Sequence, residues 1–365
     1  MQDYKTGNEK MSQLLNEWYC AIRALQTKKS IELKKEVDVL IGKMSKKNTD
    51  LLLHYSLLNF RYKILTDDLG VRQNSFDSID ALSNSDDKQL SYYYHLFKAM
   101  HYTVLTEYND AKEHYEKAGV LLEHMHDELE TAEFFYRLSA FNYQIYEPLL
   151  ALKYSDHAKE LFSKQMGCEL NIASCENVYG LACVDLKQYG MAEETFNSAI
   201  NILNKSDETK LILRVRSNLG WLYASQNLSE LAIRQLTEVI KHIPNHYKAI
   251  FSEAEAYYNL GEKETASKLI EQGLAVCLEF GNVEYLHRFR ILQGLNDNVL
   301  ANELEHVVQE GISYFKREQL LECIQEYTEK LAVKFYDECN PIKASEYFHQ
   351  STQVRKKYSE KGALK

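Results

Sequence analysis

Proline, paired cysteines and long apolar runs are all scarce in this chain, and each scarcity removes a class of protein. Only three prolines occur in 365 residues, so little interrupts helices. Forty-five per cent of the residues are hydrophobic, rich in Leu and Ala among many Glu and Lys, with no alternating strand-like runs; the expected fold class is all-α. The seven cysteines are odd in number and irregularly spaced, with no Cys-x-x-Cys pair. They read as reduced, mostly buried small residues, which excludes a disulfide framework and a zinc site. No run of about 18 apolar residues could span a bilayer, and no signal-type apolar segment opens the chain. The expectation is a cytosolic protein without a membrane partner. Phosphate-binding glycine loops, His-Glu-x-x-His and the nucleophile elbow are also missing. His124 and His126 lie two apart, which on a helix sends the rings to different sides, so neither metal nor cofactor is expected.

What the chain does have is a repeat. Ala111, Ala151, Ala192, Ala232, Ala266 and Ala344 follow one another at intervals of 40, 41, 40, 34 and 78 residues. Twelve residues before each stands another small residue, in order Ala99, Ser139, Gly180, Gly220, Ala254 and Ala332. Four residues after each comes Tyr115, Ser155, Phe196, Leu236, Ile270 or Phe348. Small side chains at both marks let two antiparallel helices approach closely, and the later residue is expected to pack into the neighbouring unit. The pattern resembles the tetratricopeptide repeat, whose aromatic position appears as Tyr102, Tyr223, Tyr257 and Phe335 and whose closing proline appears as Pro244, with departures at Asn142 and Cys183. Pro148 and Pro341, each three residues before a marker alanine, fall where a second helix should start and a missing N–H costs nothing. The double-length interval predicts one degenerate unit between 281 and 318.

Ahead of the repeats, helical periodicity predicts three helices near 11–26, 29–44 and 50–68. Residues 1–68 are therefore expected as a three-helix bundle, the polar segment 69–88 as a linker, and 89–365 as a repeat superhelix with a charged carboxyl-terminal cap. Residues 1–70 hold twelve Lys and Arg against nine Asp and Glu, a balance of +3, which leaves −13 of the formal −10 on the rest. An acidic solenoid suits a cationic ligand, and a mildly basic bundle suits an acidic protein surface.

The bundle carries Leu15-Asn16-Glu17-Trp18-Tyr19 and the run from Asp50-Leu51-Leu52-Leu53-His54-Tyr55 to Asn59-Phe60-Arg61. Later stretches are Glu130-Thr131-Ala132-Glu133-Phe134-Phe135, Asp185-Leu186-Lys187-Gln188-Tyr189 and Lys343-Ala344-Ser345-Glu346-Tyr347-Phe348. Over most of its length this combination resembles the Rap proteins of Bacillus and its relatives. The resemblance implies a quorum-sensing regulator whose bundle binds a response regulator, either removing its aspartyl phosphate or blocking its DNA binding, and whose repeats bind a short inhibitory Phr peptide. It assigns Asp185 and Asn218 as peptide anchors. A carboxylate can pair with a peptide Arg or Lys, and an Asn amide can hold a backbone N–H and C=O together. Trp221, Glu255 and Asn259 are further groove candidates, and Lys46, Lys47, Trp18 and Phe60 are candidate partner contacts.

One departure bears on catalysis. Phosphatase members of the family carry a Gln just before the third helix that positions the attacking water, the metal coming from the partner. Here Thr49 stands at that position and Asn48 is the amide nearby. A water displaced by about 1 Å can cost about 100-fold in rate, so the expectation is a binding protein with impaired phosphatase activity. An active phosphatase using Asn48 is the first alternative. A peptide-regulated transcription factor is the second, which residues 10–68 disfavour by offering too little basic charge for a recognition helix or other nucleic-acid contact.

Overall fold

The computed structural model describes residues 2–42, 49–67, 70–83, 85–206 and 208–362. Among them there is no strand. The first group of helices is α1 (Gln2–Arg23), α2 (Thr27–Ile41) and α3 (Thr49–Thr66), followed by the single turn α4 (Asp77–Asp80). Helical pairs then follow in order: α5 (Lys88–Val104) and α6 (Tyr108–Leu122), α7 (Glu128–Gln144) and α8 (Pro148–Ser163), α9 (Glu169–Asp185) and α10 (Tyr189–Leu203). They continue with α11 (Thr209–Ser225) and α12 (Ser229–His242), α13 (Tyr247–Asn259) and α14 (Lys263–Phe280), α15 (Val283–Asn296) and α16 (Ala301–Arg317), α17 (Leu321–Asp337) and α18 (Pro341–Gly362). The degenerate unit is the α15–α16 pair, and Pro148 and Pro341 open α8 and α18 as their spacing predicts.

One turn closes every marked hairpin. Five residues before the marker alanines, Thr106, Tyr146, Lys187, Asn227, Gly261 and Cys339 all have φ between 57° and 78°. The next residue donates its N–H back to the residue nine before the alanine: Glu107 to Tyr102, Glu147 to Asn142, Gln188 to Cys183, Leu228 to Tyr223, Glu262 to Tyr257 and Asn340 to Phe335, at 2.8–3.0 Å. These are Schellman caps, which satisfy carbonyls that the first helix leaves open. Glycine fills the left-handed position once. Elsewhere the strain, of the order of 1 kcal/mol per side chain, is outweighed by the packing that the turn permits. Leu25, with φ 58°, closes α1 onto α2 in the same way, and buried Ser30 stands five residues later where an alanine would be.

The marker alanines 111, 151, 192, 232 and 266 are 0% exposed. A Cβ on Gly180 would lie 2.6 Å from Phe196 Cε1, and one on Gly220 2.6 Å from Leu236 Cγ. The bulky residue thus packs on the small marker of its own unit rather than of its neighbour. The tight turn brings the helix position four after the alanine directly over the position twelve before it. The longer Tyr115 does reach the following unit, donating from its hydroxyl to the Arg137 carbonyl at 3.4 Å.

Packing divides the chain into two compact units, residues 1–138 with 155–175 and residues 139–154 with 176–365. The segment expected as a linker, 69–88, lies inside the first. There Val71, Phe76 and Ile79 are buried, and Phe76 meets Phe60 edge-on at 4.9 Å and stacks on His101 at 5.5 Å. In the second unit Ile250, Phe251, Ala254, Ile270, Phe289 and Leu292 form one core cluster and Leu213, Ala232, Leu236, Val239 and Ala249 another.

Candidate functional site

Buried charge in the first unit is matched. Arg61 of α3 donates to Glu133 Oε1 at 2.9 Å, and Arg137 Nε donates to the same oxygen at 2.8 Å. Arg23 of α1 pairs with Asp127 at 2.9 Å and also with Glu130, which accepts a 2.9 Å hydrogen bond from Tyr19. Burial would raise the Glu133 carboxyl, but Arg137 and Arg61 hold it below its ordinary range. Burial lifts Glu130 to about 7 against the opposing Arg23. The helices α1 and α3 are therefore held to the first half of α7 by ion pairs out of reach of solvent. Glu130 and Glu133 belong to the Glu-Thr-Ala-Glu stretch noted in the sequence, which had no assigned role.

Two candidate partner contacts move from surface to core. Trp18 is 0% exposed, donating from Nε1 to the Ser30 carbonyl at 3.0 Å, and Phe60 is 3% exposed. Neither can touch a partner directly, because the bundle needs their area for its own core. Thr49 is exposed at the first turn of α3, beside exposed Asp50. Lys46, Lys47 and Asn48 lie outside the described residues. An open groove of about 570 Å³ between α1 and α2 is lined by Lys10, Leu14, Glu17, Lys35, Glu36 and Val39, of which Val39 is 57% exposed.

The second unit gathers polar groups from helices far apart in sequence. Asn218 of α11 donates to Asn177 Oδ1 of α9 at 2.6 Å, and Trp221, one turn on, meets Tyr143 edge-on at 6.2 Å. Arg288 of α15 contacts the Tyr146 hydroxyl, Cys323 Sγ at 3.0 Å and Glu284 at 3.3 Å. Lys330 of α17 is clasped by Glu255 at 2.8 Å and Glu326 at 2.7 Å. Asn259 is exposed and lines a cleft of about 760 Å³ with Tyr258, Leu300, Glu329, Lys330 and Val333.

Asp185 is the outlier. Its Oδ2 is closed to solvent and accepts no hydrogen bond among the described residues, and Glu322 Oε2 is in the same condition. Burial pushes the Asp185 carboxyl well above its ordinary range, Glu322 adds to the rise, and Arg288 opposes it. Burial with Glu326 lifts Glu322 to about 7 against Arg288 and Lys187. Each carboxyl is thus short of positive charge. Sequence reasoning found Asp185 and Asn218 but not Asn177, Glu322 or Arg288. Asn177 had a signal in its spacing of 41 residues from Asn218, one repeat length. Glu322 and Arg288 had none, since they meet Asp185 only through the winding of the repeats.

Among the described residues no three His, Cys, Asp or Glu side chains converge as a metal site, and no helix is long and apolar enough to cross a membrane. Residues 5–67 match the family model described as response regulator aspartate phosphatase H, N terminal. The chain is 26% identical to the regulatory protein RapF of Bacillus subtilis (strain 168), with 96% of this chain and 95% of that protein covered. It is 24% identical to response regulator aspartate phosphatase I of the same strain, over 94% of this chain and 90% of that one. In fold it is similar to a Rap protein crystallised in complex with competence and sporulation factor, with a TM-score of 0.81, 24% identity and coverage of 97% and 99%. Matched at its amino-terminal segment by that model, along nearly its whole length by proteins of this kind, and by a solved structure of the same fold, the chain belongs to the Rap family.

Proposed function

We propose that this chain is a cytoplasmic, peptide-regulated receptor that binds a response regulator through its amino-terminal bundle and is inhibited by a short Phr-type peptide in its second unit. The observation that carries the peptide reading is the pairing of Asn218 with Asn177 one turn from Trp221. Side-by-side amides on adjacent first helices can hold an extended backbone by both N–H and C=O whatever its side chains, and an aromatic beside them gives apolar contact. The crystallised Rap complex with competence and sporulation factor supports a ligand of this kind, and the name of response regulator aspartate phosphatase I supports the partner class.

The same reading makes hydrolysis slow. Thr49 is exposed at the start of α3 where the resemblance places a water-positioning amide, and a threonine hydroxyl is too short to replace one. Any metal would be the partner's own. The test is binding of purified receiver domains, phosphorylated with acetyl phosphate, together with phosphate release, each with and without peptide. Binding that peptide reverses, with phosphate release close to the receiver's own rate, is expected. Failure to bind any receiver overturns the reading.

A further inference from the structure

Two buried carboxylate oxygens without a hydrogen-bond donor, in one polar interior, are an unfinished arrangement. Asp185 Oδ2 on α9 and Glu322 Oε2 on α17 are both in this state. The groups around them do not complete it. Arg288 on α15 feels both carboxylates but is committed to Glu284, Tyr146 and Cys323. Lys330 is committed to Glu255 and Glu326. Lys187, in the turn after α9, is exposed and acts on Glu322 only through its field. Tyr143 is buried beside Asp185 and bears no charge at neutral pH. The carboxylates of this interior therefore outnumber its cations Arg288 and Lys330, and an unpaired buried carboxylate either acquires a cation or keeps a proton.

Resting on the peptide reading above, we infer that Asp185 and Glu322 form a two-carboxylate receptor for one guanidinium of the peptide, and that filling it expels the proton which the free pair holds. A guanidinium fits better than an ammonium. Its planar fork presents parallel N–H donors to carboxylates from two helices, and its charge persists when desolvated. Glu322 is then a specificity-determining residue, and the proton passes to solvent as the arginine enters. The sign follows from linkage: below the pair's titration range the peptide must displace a proton and binds weakly, and above it the receptor is already ionised and binds fully.

The probe is a set of synthetic pentapeptide mixtures with the central residue fixed as arginine or citrulline and the others randomised. These are titrated calorimetrically into the full chain at pH 6, 7 and 8, in buffers of different ionisation enthalpy. The arginine mixture is expected to bind at least about tenfold tighter than the citrulline mixture. Its affinity should rise about tenfold from pH 6 to pH 8 with proton release near pH 7. Glu322→Gln, close to isosteric, should lose both the arginine preference and the pH dependence, whereas Asn218→Ala should weaken both mixtures alike. If the mixtures bind in an Asn218-dependent way but arginine and citrulline are equal, or Glu322→Gln keeps the wild-type pH profile, this inference is overturned and the peptide reading stands. If no mixture binds at any pH, both fall.

Discussion

The two units of this chain bury charge in opposite ways. In the first, three arginines, Arg23, Arg61 and Arg137, meet three carboxylates, Asp127, Glu130 and Glu133, at hydrogen-bond range. In the second, Asp185 and Glu322 each leave an oxygen unpaired while Arg288 is occupied elsewhere. A matched network needs nothing more and serves to fix where α1 and α3 sit on α7. An unmatched one is costly by itself and becomes favourable when a ligand supplies the missing cation. The lesson is that buried polarity marks a structural role when it closes on itself and a binding role when it does not.

The comparison breaks most visibly at Glu133. Glu133→Ala leaves Arg61, 1% exposed, and Arg137 without their shared anion, and should destabilise the first unit by about 3–5 kcal/mol. Urea unfolding followed by Trp18 fluorescence reads this directly, and a loss under about 1 kcal/mol would mean that the network is not structural. Next in size is a gain on the same unit's surface. Thr49→Gln should raise phosphate release from a bound, phosphorylated receiver by up to about 100-fold without tightening binding, as fits a group acting mainly in the transition state. Fast release by the unaltered chain would remove the argument.

Smaller effects sharpen the account of the second unit's framework. Gly180→Ala drives a methyl to within 2.6 Å of the Phe196 ring and should cost about 1–3 kcal/mol despite its better helix propensity. Gly190→Ala, with nothing within 4 Å, should stabilise α10 by up to about 1 kcal/mol, and equal melting shifts for the two would refute the close-packing role. Smallest of all is Lys187→Gly, which relieves a left-handed φ of 59° on an exposed residue and should change stability by less than about 1 kcal/mol, in the favourable direction. A clear loss would show that the Lys187 side chain does more than close the turn.

Much of the framework was legible because it is local. The alanine interval located the hairpins, the residue nine before each alanine proved to be the one whose carbonyl the cap uses, and even the faded unit was visible as a doubled interval. The errors came where chain-distant packing decides. Trp18 and Phe60 looked like surface aromatics of a bundle, yet lie in its core. The segment 69–88 looked like a linker by its Gly, Asn and Ser content, but Val71, Phe76 and Ile79 are spaced to bury themselves.

By itself the sequence determined the helices, their pairing and the repeat phase, since these follow from side-chain size and turn conformation within about forty residues. It also determined that α9 and α11 would carry Asp185 and Asn218. Only the tertiary structure decided that Glu322, 137 residues beyond Asp185, shares its interior, and that Arg61 and Arg137 close on one oxygen of Glu133. Such meetings depend on the accumulated rotation from one repeat to the next, a quantity that no single hairpin encodes and that small packing differences at every interface add up to set.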